Sequence, residues 1–461
     1  MKDMKRIGLA AVIAACGLLA TGAADDEVRL RVGVISDIHL GGDRAKAVFV
    51  RALGFFREQN VDAVLLPGDM TYYASQAEWQ RVTSAWQEVF PGDKAPDGHT
   101  VERLFVTGNH DAGLANPAKA WPEMFRNEYA PIWIRKVKGY AFVGAQWGTT
   151  KGLAAFYREH DAELRGGKPF FHIQHAHPHG TCVGDWAWGN EPYATAVLTN
   201  YPNAVAFSGH SHYPLTDERS IWQGGFTSVN AGSLSHECHE YNMRDNGKVN
   251  NCGSTVVQPE RLTPVVGLAN SKPGMLMTVT DGSIRLARYS FGEAKPRSLG
   301  EDWVIPVGPN AAKPYAFATR AAGRSAPEFA AGATVTCTTC VARTEGGVPV
   351  SCVKVIIPPA RTVNGCRVFD YEVTASVVAD DVALPIKVKR VFAPAYHLPE
   401  SMSNRSGCCL FAAADLPSGT RLRFSVRPFE CFGKAGKAIS TDVRFTRTDT
   451  CALEPVDAES H

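Results

Sequence analysis

From Val28 to about Ile305, short apolar runs alternate with amphipathic stretches, and five of those runs are followed at once by residues able to bind cations. That alternation is expected of strands and helices in an α/β domain. Strands are read at Val28 to Ile35, Val61 to Leu66, Arg103 to Val106, Tyr140 to Ala145, Pro169 to Gln174 and Ala204 to Phe207. Asp43 to Glu58 has helical spacing, with Phe49, Leu53 and Phe56 on one face, and Ser75 with Glu78 forms a capping box ahead of Trp79, Val82 and Trp86. In chain order the motifs are Asp37-Ile-His39, Gly68-Asp69, Gly108-Asn109-His110-Asp111, Gln174-His175-Ala-His177-Pro178 and Gly209-His210-Ser-His212. Side chains placed just past strand ends converge on one edge of a sheet.

Alone, most of these motifs mean little: Asp-x-His is expected roughly once per chain of this composition and Gly-Asp roughly twice. Gly-His-x-His is expected in roughly one such chain in 25, and Gly-Asn-His-Asp in roughly one in 500. Order and strand-end placement multiply these odds, against the ordinary use of Asp and Asn as helix caps and turn formers. Two divalent cations a few ångströms apart repel, so they need a carboxylate between them and enough further donors to fill both shells. Asp69 is the natural bridge, with Asp37, His39 and His212 on one metal and Asn109, His175 and His210 on the other. Such mixed shells suit Mn, Fe, Zn or Co, whereas Ca and Mg favour oxygen alone. His110 adjoins Asn109, and adjacent side chains diverge, so it is not read as a further ligand.

This ordered set resembles the calcineurin-like metallophosphoesterases over roughly Val28 to Tyr289. The resemblance implies an α/β fold in which two facing β-sheets are flanked by helices, with two divalent metals on loops at the strand ends. It implies Asp37 and His39 on the first metal, Asp69 bridging, Asn109 on the second, and His210 and His212 divided between them. The family's fourth motif is often His-x-Pro. Here the run is His175-Ala-His177-Pro178, and His175 is chosen because it follows the apolar strand at once, with His177 as its replacement. The implied reaction is hydrolysis of phosphomonoesters or phosphodiesters, in which the metals acidify a shared water and hydroxide attacks phosphorus in line. The resemblance also puts His110 over the substrate, stabilising the transition state or protonating the leaving oxygen. Asp111 is expected to hold the other ring nitrogen of His110 and keep that imidazole charged.

Two rival readings remain open. A nucleotide-specific hydrolase would need aromatic residues to grip a base; Trp186 and Trp188, or Tyr72 and Tyr73, serve that use or else plug their loops onto the sheet. A non-catalytic binding scaffold would need the ligand set to have decayed, and it is intact. His172, His177, His179, His236 and His239 fall on no ordered motif and read as ordinary polar residues.

Lys2, Lys5 and Arg6 precede the uncharged run Ile7 to Ala24, the layout of a signal peptide, so residues 1–24 are expected to direct export and to be cleaved near Ala24. Ile13-Ala-Ala-Cys16 resembles a lipoprotein cleavage box, which would tie the exported chain to a membrane at Cys16. Lys plus Arg is 48 against 46 Asp plus Glu; removing residues 1–24 takes out three bases and one acid and leaves 45 of each. That balance gives no general electrostatic reason to expect nucleic acid, and the expected partner is a small phosphate ester held locally. Twelve cysteines suit an oxidising compartment, and the eight in the C-terminal third read as disulfide staples. The zinc-ribbon alternative at Cys337-x-x-Cys340 lacks a second pair at the usual spacing.

Ile305 to Pro314 carries three prolines and reads as a connector between a domain at 25–305 and another at 315–461. Beyond it, Arg421 to Arg427 and Asp442 to Arg447 alternate strictly, as half-buried strands do. This segment is expected to be an all-β sandwich with a loose resemblance to fibronectin type III modules.

Overall fold

The computed structural model describes residues 27–182, 191–237, 271–343, 347–361, 368–394, 405–447 and 451–455. The signal-peptide and lipidation expectations, and those for Trp186, Trp188 and His239, lie outside these residues. No described helix is long and apolar enough to cross a membrane.

Residues 30–306 build two sheets. Their strands are β1 (Leu30–Val34), β2 (Ala63–Pro67), β3 (Glu102–Val106), β4 (Ile132–Val137), β5 (Tyr140–Ala145), β6 (Phe170–Ile173), β7 (Ala204–Ser208), β8 (Ile221–Gln223), β9 (Thr227–Asn230), β10 (Pro273–Val279), β11 (Ser283–Ser290), β12 (Arg297–Ser298) and β13 (Trp303–Pro306). Between them lie α1 (Asp43–Glu58), α2 (Gln76–Val89), α3 (Pro117–Phe125), α4 (Leu153–Glu159), α5 (Asp161–Leu164) and α6 (Pro192–Leu198). The first sheet has the order β12-β11-β10-β1-β2-β3, with β13 also on β11; the second has the order β4-β5-β6-β7-β9-β8. Strands β1, β2 and β3 run parallel, as do β5, β6, β7 and β9; antiparallel strands extend the first sheet beyond β1 and close both edges of the second, while β3 is a parallel edge.

Leu30, Val32 and Val34 of the first sheet share one core with Phe142, Phe171 and Phe207 of the second, so the sheets pack face to face. The outer face of the first is covered by α1 and α2, through Phe49, Leu53, Phe56, Val82 and Trp86. The outer face of the second is covered by α4 and α6, through Leu153, Tyr157, Ala194 and Leu198. Helix, sheet, sheet and helix thus form the layered α/β fold that the resemblance implied. Covered on both faces, β2 reads Ala-Val-Leu-Leu-Pro without alternation and is buried throughout. Helix α1 comes so close to β1 that a Cβ on Gly33 would meet the Phe56 ring at 2.4 Å. Helix α2 starts at Ser75, whose hydroxyl accepts from the Glu78 N–H while the Glu78 carboxylate accepts from the Ser75 N–H.

After α7 (Phe317–Ala322) the described elements are mainly strands: β14 (Glu328–Phe329), β15 (Thr336–Arg343), β16 (Pro349–Ile357), β17 (Ala360–Arg361), β18 (Val368–Ala379), β19 (Val382–Phe392), β20 (Gly407–Ala412), β21 (Thr420–Glu430), β22 (Ile439–Arg447) and β23 (Cys451–Pro455). Antiparallel sheets of order β15-β16-β20 and β19-β18-β21-β22-β23 share one core, built from Val353, Val355, Tyr371, Val373, Phe411 and Phe424. The alternation in β21 resolves as expected: Leu422, Phe424 and Val426 point inward, while Arg421 and Arg423 pair with Asp442 on β22. The expected disulfide staples are not formed among the described residues. Burial instead pushes the thiols of Cys337 and Cys409 up to about 12, and they pack as small apolar side chains.

Candidate dinuclear metal centre

All five motifs follow the carboxyl ends of parallel strands: β1, β2 and β3 of the first sheet, β6 and β7 of the second. The two sheets face each other, so these loops meet over one end of the sandwich. Asp37, His39, Asp69 and His212 each place a ligand atom within 4.8 Å of the others, and Asp69, His175 and His210 do the same. Asp69 is common to both groups, the place expected of a bridge. Asn109 joins the second group, its Oδ1 lying 3.0 Å from His175 Nε2. The structure therefore brings all seven nominated ligands together. Five of them, Asp37, His39, Asp69, His210 and His212, have φ between 46° and 66°. Side chains other than glycine rarely adopt that conformation, and it concentrates where strain serves a site.

Backbone groups aim the ligands. Asp37 accepts from Ser36 Oγ at 2.6 Å and from the His210 N–H at 3.0 Å; Asp69 Oδ1 accepts from the His110 N–H at 2.9 Å. Three carbonyls, which can only accept, fix the imidazole tautomers. Pro67 O takes the Nδ1–H of His175 at 2.7 Å, His236 O that of His212 at 2.9 Å, and Tyr72 O that of His110 at 2.7 Å. Each ring then turns Nε2 toward the site: His212 Nε2 lies 2.9 Å from Asp37 Oδ1, and His175 Nε2 lies 3.2 Å from Asp69 Oδ2.

Among the described residues, every ion-pair partner of Asp37 and Asp69 is a histidine. Burial opposes ionisation of Asp37, yet the facing His212 and His175 hold it below the usual carboxylate range; Asp69 is lowered in the same way by His175. His175 rises to about 9 against its own burial because Asp69 and Asp37 face it. Burial and neighbouring imidazoles drop His39 to about 4 and His210 to about 3, which leaves them neutral donors. Two buried carboxylates without a lysine or arginine form a costly arrangement that bound cations would relieve. The donor set thus fits a pair of divalent ions, with Asp37, His39, Asp69 and His212 holding one and Asp69, Asn109, His175 and His210 the other.

Asp111 requires a correction. Its carboxylate does not hold His110 but accepts from the N–H groups of Met70, Thr71 and Gly108 and from Thr71 Oγ1. It stitches the loop after β2 to the loop after β3, because the turn at Asn109–Asp111 points its side chain back into the protein. Burial and the nearby Asp69 raise its pKa to about 6. His236, read as ordinary, has its ring 4.2 Å from that of His212 besides supplying the carbonyl. Trp147, which no motif marked, sits 5.6 Å from the rings of both His175 and His210. On the opposite side of the site, Tyr72 lies 5.2 Å from His110 with the exposed Tyr73 against it. A cavity of about 490 Å³ opens at the other end of β6, β7 and β9, lined by Pro169, Ala204 and Thr227, far from these ligands.

Two expected outcomes arise from the packing around the site. A Cβ on Gly209 would lie 2.1 Å from Ser36 Oγ and 2.3 Å from Asp37 Oδ2, so Gly209→Ala must displace Asp37. Metal analysis of the purified variant should show less than full occupancy; wild-type metal content would refute this. His172 is buried between Tyr157 Oη, which donates to its Nδ1 at 2.8 Å, and Gln174 Oε1, which accepts from its Nε2 at 2.8 Å. The Gln174 amide in turn donates to Ala176 O, bracing the His175 loop. Burial holds His172 to about 4, below the 6.5 of an unfolded chain. Between those values the unfolded state binds more protons, so the contribution of a neutral His172 is complete above pH 6.5 and is lost as pH falls through 4. At pH 5 that loss is about 2 kcal/mol. The stability gap between wild type and His172→Asn, from urea unfolding, should shrink by this amount between pH 7 and pH 5; an unchanged gap would contradict the assignment.

Residues 30–214 match the calcineurin-like phosphoesterase family, and this part of the chain is a calcineurin-like phosphoesterase domain with a candidate dinuclear site. No curated protein matches the chain. Among solved structures, a dimetal phosphatase from Danio rerio is similar at 10% identity and a TM-score of 0.38, over 61% of this chain and 100% of that one. A purple acid phosphatase from seeds of yellow lupin, Lupinus luteus, is similar at 13% identity and a TM-score of 0.38, over 63% of this chain and 56% of that one. Vacuolar Protein Sorting 29 from Cryptosporidium parvum is similar at 12% identity and a TM-score of 0.31, over 61% of this chain and 100% of that one.

Proposed function

We propose that this protein is an exported phosphoric ester hydrolase that works with two divalent transition-metal ions, Mn, Fe, Zn or Co, on small phosphomonoesters or phosphodiesters. The observation that carries this reading is the sharing of Asp69 between two donor groups. Bound divalent ions acidify water and neutralise phosphoryl oxygens. Two such ions against the carboxylates of Asp37 and Asp69 leave an excess of positive charge, which complements an anionic ester. The chain's own part is positional. Asp37 and Asp69 are pinned by backbone N–H groups, and the carbonyls of Pro67 and His236 hold the Nδ1 side of His175 and His212, turning Nε2 of each ring toward the site. His110, its Nδ1–H held by Tyr72 O, presents Nε2 on the other side of the ring, and in its imidazolium form that nitrogen would pass its proton to the departing oxygen or donate to the charge that develops there.

Export rests on the charged start and apolar run at residues 2–24, and the C-terminal sheets are read as a fibronectin type III-like module from their strand alternation. The test is metal analysis combined with a phosphate-ester screen. Purified mature protein should hold close to two transition-metal ions and hydrolyse a generic aryl phosphate. Chelation should stop hydrolysis and metal should restore it. Full activity in the chelated protein would defeat the proposal.

A further inference from the structure

We propose that the C-terminal β domain positions the loop bearing His210 and His212, through a cationic stack that passes from one domain to the other. The proposal rests on reading that loop as metal-ligating. Its centre is Arg219, which is 4% exposed. The guanidinium is bidentate on the fully buried Asp217, with Nε 3.0 Å from Oδ1 and Nη2 2.6 Å from Oδ2. One flank meets the ring of Tyr213 at 5.3 Å; the other meets the ring of Phe369, on β18 of the C-terminal domain, at 4.4 Å. Tyr213 is the residue directly after His212.

A second route runs through Asn230, at the end of β9. Its amide donates to Tyr213 O at 3.0 Å and to Ser220 Oγ at 3.2 Å, and its Oδ1 accepts from Ser211 Oγ at 3.2 Å. Ser211, between the two histidines, and Ser220, beside Arg219, therefore hang on one side chain. The Arg219 segment is gripped from outside as well. Glu218 accepts from Arg324 Nη1 at 2.9 Å and from the Cys431 thiol at 2.7 Å. Arg320 donates to Ile221 O at 3.0 Å and lies over the Phe432 ring at 4.6 Å.

Buried ion pairs add little net stability, because desolvation offsets their attraction, but broken halves are costly, so such pairs select one arrangement. This interface therefore fixes position. His210 and His212 sit at φ of 66° and 53°, a conformation that needs surroundings to hold it. The histidines of the loop face the site, and the Arg219 segment that backs the loop is held by the second domain.

The test uses the full chain, stripped of metal by chelation and titrated with manganese or zinc by calorimetry. Phe369→Leu keeps an apolar side chain but removes the ring face from Arg219. Metal affinity should weaken roughly three- to tenfold in at least one of the two equivalents, and amide exchange at Ser211 to Tyr213 should quicken. Phe369→Tyr should restore both. A folded Phe369→Leu with wild-type affinity in both equivalents and unchanged exchange overturns the proposal. Should that variant fail to fold, Glu218→Gln loosens the contact to Arg324 without touching the core. It should weaken metal by roughly twofold or more, and wild-type affinity there is equally fatal. A wild-type chain that binds no metal defeats the ligand reading and this proposal with it; equal binding by wild type and variant defeats this proposal alone.

Discussion

Asp69→Ala should leave the purified protein with at most one metal ion and lower turnover of an aryl phosphate by about 10³-fold or more. The size follows from how many contacts end on this carboxylate. Oδ2 lies 3.2 Å from His175 Nε2 and 3.6 Å from His39 Nε2, while Oδ1 accepts from the His110 N–H. No other carboxylate belongs to both donor groups, so none can replace it between two cations. Removing it also frees the His110 backbone, and that loosening alone would affect activity. Asp69→Asn separates the two effects, because its amide oxygen still accepts from the His110 N–H while the negative charge is gone. Metal loss in both variants assigns the effect to charge; metal loss only in Asp69→Ala assigns it to the loop. Full activity in Asp69→Ala would mean that the bridge is misassigned.

What an amino-acid sequence reveals of this site depends on which atoms build it. Helix α1 and strand β5 fall where apolar spacing puts them, since burial on one face leaves a periodic trace. The ligands were legible because Gly108-Asn109-His110-Asp111 and Gly209-His210-Ser-His212 are rare strings placed after strands. The supports of those ligands left no such trace. Pro67, Tyr72 and His236 act through their carbonyls, which every residue possesses, so no residue type announces them. Asp111 is expected from the motif to hold His110, but the tight turn at Asn109–Asp111 sends its side chain to the backbone of Met70 and Thr71 instead. Trp147 reaches the site because β5 lies beside β6 in the second sheet, a pairing that spans many residues and is invisible to local pattern. Cysteine count alone does not place disulfides, which need two Cβ atoms in a specific geometry that composition does not encode, and none is formed among the described residues.

His110→Ala should keep both metals and lose about 10² to 10⁴ of turnover, the usual worth of a positioned acid. The side chain can be removed without disturbing the cage because its contribution to Asp69 comes from the backbone N–H, which alanine retains. What is lost is an imidazole at the mouth, edge-on to His39 at 4.7 Å and anchored by Tyr72 O. Esters with graded leaving groups then tell the two roles apart. A departing oxygen that is already a stable anion, as in an activated aryl phosphate, needs little proton donation; an alkyl oxygen needs much. If His110 is the acid, the variant's deficit should grow steeply from activated aryl to alkyl esters. If it acts by donating to charge on the phosphoryl group, the deficit should be nearly constant across the series. A loss below about threefold on every ester would remove His110 from the reaction and leave it as a partner of Tyr72 only.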